Sequence, residues 1–157
     1  MSRCFILACS GLFLSHIEPA RAFADVFAII GPNDSKTELA VDAGKVRLIE
    51  PPSNAVMDWD LTVFGKETKT TIQASKGKWG RWYLTYPVDG EHPKVYLRQK
   101  SGAHWKLTRA AGVAQFTIQA TRGKFKGWYL AEGKGGKVVL VKKPKRPPIF
   151  EISTVGP

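Results

Sequence analysis

Hydrophobic and polar residues alternate in short runs along this chain, and turn-forming residues cut the runs apart. Phe27-Ala28-Ile29-Ile30, Lys45-Val46-Arg47-Leu48-Ile49, Lys94-Val95-Tyr96-Leu97 and Lys137-Val138-Val139-Leu140 are typical, each bounded by Gly, Pro, Asn or Asp. Period-two alternation over such lengths predicts half-buried β-strands. No stretch carries an apolar stripe of helical period long enough to compete, so the expected class is all-β.

The runs also recur. Thr71-Ile72-Gln73-Ala74-Ser75-Lys76-Gly77-Lys78-Trp79-Gly80-Arg81-Trp82-Tyr83-Leu84 returns as Thr117-Ile118-Gln119-Ala120-Thr121-Arg122-Gly123-Lys124-Phe125-Lys126-Gly127-Trp128-Tyr129-Leu130, at an offset of 46 throughout. Each is followed by an alternating strand and then by a closing aromatic strand, His104-Trp105-Lys106-Leu107 or Ile149-Phe150-Glu151-Ile152. A more diverged copy precedes them, with strands at Phe27–Ile30, Thr37–Val41, Lys45–Ile49 and Asp58–Leu61. Trp59, Trp105 and Phe150 then recur in step, as do Leu39, Leu84 and Leu130. Three copies of about 45 residues with four strands each give twelve strands. Propeller blades have similar length, but a propeller closes with at least about four.

With its apolar strand, Gly-containing turn, Tyr-Leu strand, apolar strand and aromatic-x-aliphatic strand, the repeat resembles that of the β-trefoil superfamily over residues 25 to 153. The resemblance implies a closed six-stranded barrel with a cap of three hairpins. It places repeats at about 25–65, 66–111 and 112–155 and puts Trp59, Trp105, Phe150, Ile72, Ile118, Leu84 and Leu130 in the core. In Trp82-Tyr83 and Trp128-Tyr129 one member of each pair should face inward, and Tyr83 and Tyr129 are the ones expected there. Ricin-type lectin repeats close on Gln-x-Trp. The corresponding positions here are Met57, Ala103 and Pro148, which argues against a galactose-type lectin. The Gly-Lys-aromatic turns are nearer to fascin-like repeats.

Charge changes the picture most. Lys and Arg number 24 against 13 Asp and Glu, a formal net charge of +11 over 157 residues. A surface with that excess attracts anionic polymers and surfaces. The first two dozen residues read as an export signal spanning 1–24: Arg3, then the apolar run Cys4 to Leu14, then Pro19 and small-residue cleavage options ending at Ala22 or Ala24. The remaining domain, 25–157, is expected to be secreted or periplasmic and monomeric, with no transmembrane segment. Both cysteines, Cys4 and Cys9, lie in the signal, so the domain itself offers no disulfide, thiol nucleophile or thiolate metal site.

Catalytic chemistry has little to work with. His92 and His104 lack metal-ligand spacing. Asp58 and Asp60 flank Trp59 as a possible carboxylate pair, but they read better as a solvated strand face. Gly133 to Gly136 reads as a hairpin turn rather than a phosphate loop. No enzyme activity, cofactor or metal is expected.

Two basic clusters stand out as candidate ligand-binding positions. Lys76, Lys78, Trp79 and Arg81 share one turn, and Arg122, Lys124, Phe125 and Lys126 share its counterpart. A flat ring in such a turn can stack on a sugar while cations hold an anionic group, or Trp79 and Phe125 can instead fold back to cover the barrel rim. The second cluster is Lys134, Lys137, Lys142, Lys143, Lys145 and Arg146, with Pro144, Pro147 and Pro148 stiffening its loop. In position it resembles the heparin-binding loops of the fibroblast growth factors, which are also trefoils. The expected function is a non-catalytic module for carbohydrate or an anionic polysaccharide. A trefoil-type protease inhibitor acting on a protein partner through Pro51-Pro52-Ser53-Asn54 or Lys145-Arg146-Pro147-Pro148 is the alternative. Nucleic acid fits an exported chain poorly.

Overall fold

The computed structural model describes residues 26–52, 55, 58–64, 69–100, 103–112 and 114–154. The export signal expected over 1–24, together with Ser53, Asn54 and Met57, lies outside the described residues. Twelve strands run through the described chain: β1 (Val26–Pro32), β2 (Glu38–Asp42), β3 (Lys45–Ile49), β4 (Trp59–Phe64), β5 (Lys69–Ala74), β6 (Tyr83–Thr85), β7 (Tyr96–Arg98), β8 (Trp105–Arg109), β9 (Gln115–Ala120), β10 (Tyr129–Gly133), β11 (Lys137–Val141) and β12 (Phe150–Thr154).

Six of them close a ring. β1 pairs β4, β4 pairs β5, β5 pairs β8, β8 pairs β9, β9 pairs β12 and β12 returns to β1, all antiparallel. Closure leaves these six strands no free edge for another chain to extend. The other six form hairpins, β2–β3, β6–β7 and β10–β11, one per repeat. A closed six-stranded barrel with three hairpins is the β-trefoil architecture that the repeat implied.

The register shows why the three copies agree where they do. Ile30 stands opposite Ile152, Leu61 opposite Ile72 and Leu107 opposite Ile118, so three cross-strand pairs of branched aliphatics fill the barrel. Beside them Trp59 stands opposite Ala74 and Trp105 opposite Ala120, large against small. Trp59, Trp105, Ile72, Ile118, Leu39, Leu84 and Leu130 have no exposed surface and Phe150 has 1%. Burying an indole also buries a donor, which must be satisfied. Trp59 Nε1 donates to the Leu39 carbonyl at 2.8 Å and Trp105 Nε1 to the Leu84 carbonyl at 3.0 Å. Phe150, with no donor, needs no such acceptor.

The structure corrects two details. Tyr83 and Tyr129 do not supply the inward rings; Trp82 and Trp128 pack against the core instead. Leu84 and Leu130 are fully buried, and in a strand the residue two positions earlier shares their face. The strand expected from Lys94 begins at Tyr96, because Lys94 bridges to Val139 of the third repeat rather than extending its own hairpin.

Candidate functional site

The two Gly-Lys-aromatic turns fold alike. In the first, the Gly80 amide donates to Gly77, Trp82 to Trp79 and Arg81 to Ala74, at 3.0, 3.0 and 2.8 Å. In the second, Lys126 donates to Gly123, Trp128 to Phe125 and Gly127 to Ala120, at 3.1, 2.9 and 2.8 Å. Gly77 and Gly123 both have φ of 69°, the left-handed region that favours glycine. Behind each turn a hydroxyl holds the same carbonyl position, Ser75 Oγ on Asp58 at 2.9 Å and Thr121 Oγ1 on His104 at 2.7 Å.

Neither ring stands free at the surface. Phe125 is 1% exposed and lies edge-on to Trp128 with centroids 5.0 Å apart, so its expected role in binding ligand is corrected. Apolar burial of a phenyl ring outweighs leaving it in a polar turn. Trp79 is half-buried, edge-on to Trp82 at 5.0 Å, and the Lys78 ammonium sits 5.5 Å over its ring. A Cβ on Gly44, in the β2–β3 turn, would come within 2.8 Å of the Trp79 ring. Trp79 therefore spends one contact surface on its own lysine and another on a neighbouring hairpin.

The cations of these turns remain at the surface. Lys76, Lys78, Arg81, Arg122, Lys124 and Lys126 are all exposed. Lys76 reaches the Asp58 carboxylate, which accounts for half of the imagined acidic pair. Arg122 has His104 in the place of that aspartate, and among the described residues its guanidinium is in no ion pair. Its backbone is anchored instead: the Tyr86 hydroxyl accepts from the Thr121 and Arg122 amides at 2.9 and 3.3 Å.

The late cluster divides between two places. Lys134 and Lys137 belong to the β10–β11 hairpin, while Lys142, Lys143, Lys145 and Arg146 follow β11 in the loop to β12. All six are exposed, and among the described residues none is paired with a carboxylate. Prolines punctuate the loop, and Lys143 holds φ of 42°. A shallow groove of about 230 Å³ that the sequence does not signal lies between the first and third repeats, lined by Ser35, Lys36, Thr37, Glu38, Glu151 and Ser153 among others. It has mixed charge and no aromatic wall, and it exists only because β12 folds back beside β1 and β2, which no local sequence pattern signals. Among the described residues no group of His, Cys, Asp and Glu could hold a metal ion.

No protein-family model matches the sequence, and no curated protein matches it. Solved structures do share the fold. One is SeviL, solved bound to asialo-GM1 saccharide, with TM-score 0.62, 13% identity, 82% of this chain covered and 97% of that one. Another is a salivary protein from Culex quiquefasciatus of the Cysteine and Tryptophan-Rich (CWRC) family, with TM-score 0.62, 19% identity, 82% of this chain covered and 92% of that one. At these identities the likeness is one of fold.

Proposed function

We propose that this is an exported, non-catalytic binding module for carbohydrate, and that its ligands are anionic polysaccharides held mainly through cations. One observation carries the reading. The six basic side chains from Lys134 to Arg146 are exposed with no carboxylate partner among the described residues, whereas Lys76 is neutralised by Asp58. Unneutralised like charges on neighbouring positions repel one another, and a multivalent anion relieves that repulsion. A fold neighbour that carries a saccharide supports the ligand class.

Retention on immobilised heparin at low and high salt tests the proposal. The unaltered domain should be retained at low salt and eluted as screening increases. Replacing Lys142, Lys143, Lys145 and Arg146 together by Ala should lower the eluting salt concentration markedly. Unchanged elution of that variant removes the loop from the binding surface.

A further inference from the structure

The third strands of the three repeats carry the same four-residue pattern: Lys45-Val46-Arg47-Leu48, Lys94-Val95-Tyr96-Leu97 and Lys137-Val138-Val139-Leu140. The Val and Leu of every copy are buried, at no more than 9% exposure. By strand alternation the Lys and the variable residue occupy the opposite face, and all three lysines are exposed.

Strand pairing brings these segments together from distant parts of the chain. Lys137 stands directly opposite Arg47, and the Leu48 amide donates to the Gly136 carbonyl at 2.8 Å. Lys94 stands opposite Val139, and the Leu140 amide donates to the Pro93 carbonyl at 3.1 Å. The starts of the second and third segments thus meet the middles of the third and first, β3 packs on β7 to complete the circuit, and the three lysines gather around the pseudo-threefold axis of the hairpin cap.

Directly opposed residues of antiparallel strands lie only about 4.5–5.5 Å apart at Cα, and like charges so placed destabilise the pair. Yet Lys137 faces Arg47, with Lys94 beside them, and among the described residues no ion pair reaches Lys45, Arg47, Lys94 or Lys137. The three copies differ through much of their length and agree on this lysine. Next to it is Tyr96, 40% exposed and flanked on the same strand face by Lys94 and Arg98. It is the exposed aromatic that the Gly-Lys-aromatic turns do not supply.

We infer that the cap axis is a binding site for a densely anionic sugar, sulfated or carboxylated, whose ring lies on Tyr96 while Lys45, Arg47, Lys94, Arg98 and Lys137 hold its substituents. This deepens the proposed function and rests on it for the ligand class. A single ring encircled by cations suits one pyranose with anions around it, whereas a nucleic-acid strand calls for successive stacking platforms along a groove.

The test is calorimetric titration of a heparin-derived hexasaccharide, and of a twelve-nucleotide oligothymidine, at low salt. The variants are Lys45→Ala with Lys94→Ala, Tyr96→Ala, and the four-residue loop variant of Lys142, Lys143, Lys145 and Arg146. Circular dichroism of each checks that these exposed substitutions leave the fold intact. The expected result is a loss of at least about tenfold in hexasaccharide affinity for the double variant and severalfold for Tyr96→Ala. If the unaltered domain binds and the double variant stays within about twofold, the axial site is overturned, and a loss confined to the loop variant leaves the proposed function standing. If the unaltered domain binds no hexasaccharide, both fall. Oligothymidine binding as tightly, with the same loss in the double variant, overturns the assignment to a sugar.

Discussion

The turns at residues 75–82 and 121–128 share a backbone and differ in what they do with it. In the first, Trp79 is half-buried over Gly44 and Lys76 is tied to Asp58. In the second, Phe125 is sunk into the core, and His104 stands at the position that Asp58 holds in the other copy, so Arg122 has no carboxylate there. Each turn rests on the repeat before it: the first on the β2–β3 turn, the second on residues 86–88, where the Lys124 amide donates to the Val88 carbonyl at 3.0 Å. A local motif therefore sets the path of the chain, while a neighbouring repeat decides how deep the ring goes and which cations are free.

Ring depth gives the largest expected difference. Phe125→Ala should cost about 3–4 kcal/mol, since a buried phenyl is lost together with the cavity it leaves. Trp79→Ala should cost about half as much, because part of that ring already faces water. Urea unfolding of the two variants measures both, and equal losses would break the contrast between the turns.

Glycine chemistry sharpens it at the next scale. A Cβ on Gly123 would lie 2.3 Å from the Val88 carbonyl oxygen at φ of 69°, so Gly123→Ala should cost about 2–3 kcal/mol in strain and displaced backbone. Gly127 has φ of 79° but nothing within 4 Å, and Gly127→Ala should cost only about 1 kcal/mol. Arg81 occupies the matching position in the other turn at φ of 67°, so thermal unfolding should show Arg81→Gly to be neutral or slightly stabilising.

The smallest effect is electrostatic. The Lys76 side chain is 71% exposed and its Asp58 partner 27%, so Lys76→Ala should cost less than about 1 kcal/mol. Any difference should vanish when stability is measured in 1 M salt. A difference that persists there would mean that Lys76 holds its turn by something other than charge.

Much of the fold was legible before any coordinates. Alternation and the three-copy offset located the strands, because positions such as Trp59, Trp105 and Phe150 do the same packing in every repeat. The facing of Trp82 and Tyr83 was also within reach, through the parity that Trp82 shares with buried Leu84. The fate of Phe125 was not, since the turn that carries it is anchored by Tyr86 and Val88 from another repeat. The cationic candidates emerged correctly as surface residues, but the gathering of Lys45, Lys94 and Lys137 depends on pairings between segments of all three repeats. Repetition of Lys-Val-x-Leu is the signal the sequence carries, and by itself it specifies a strand rather than a meeting point.

The ring closes where β1 lies against β12, with Ala28 opposite Thr154. β1 therefore stays half-paired until β12 has been made. Until Thr154 has emerged, β1 can find β4 but its other edge stays open, and so does one edge of β9. Long-range closure of this kind delays the barrel until the third repeat is complete. Until β12 arrives, the ring is an open sheet whose two unpaired edges can still take another partner.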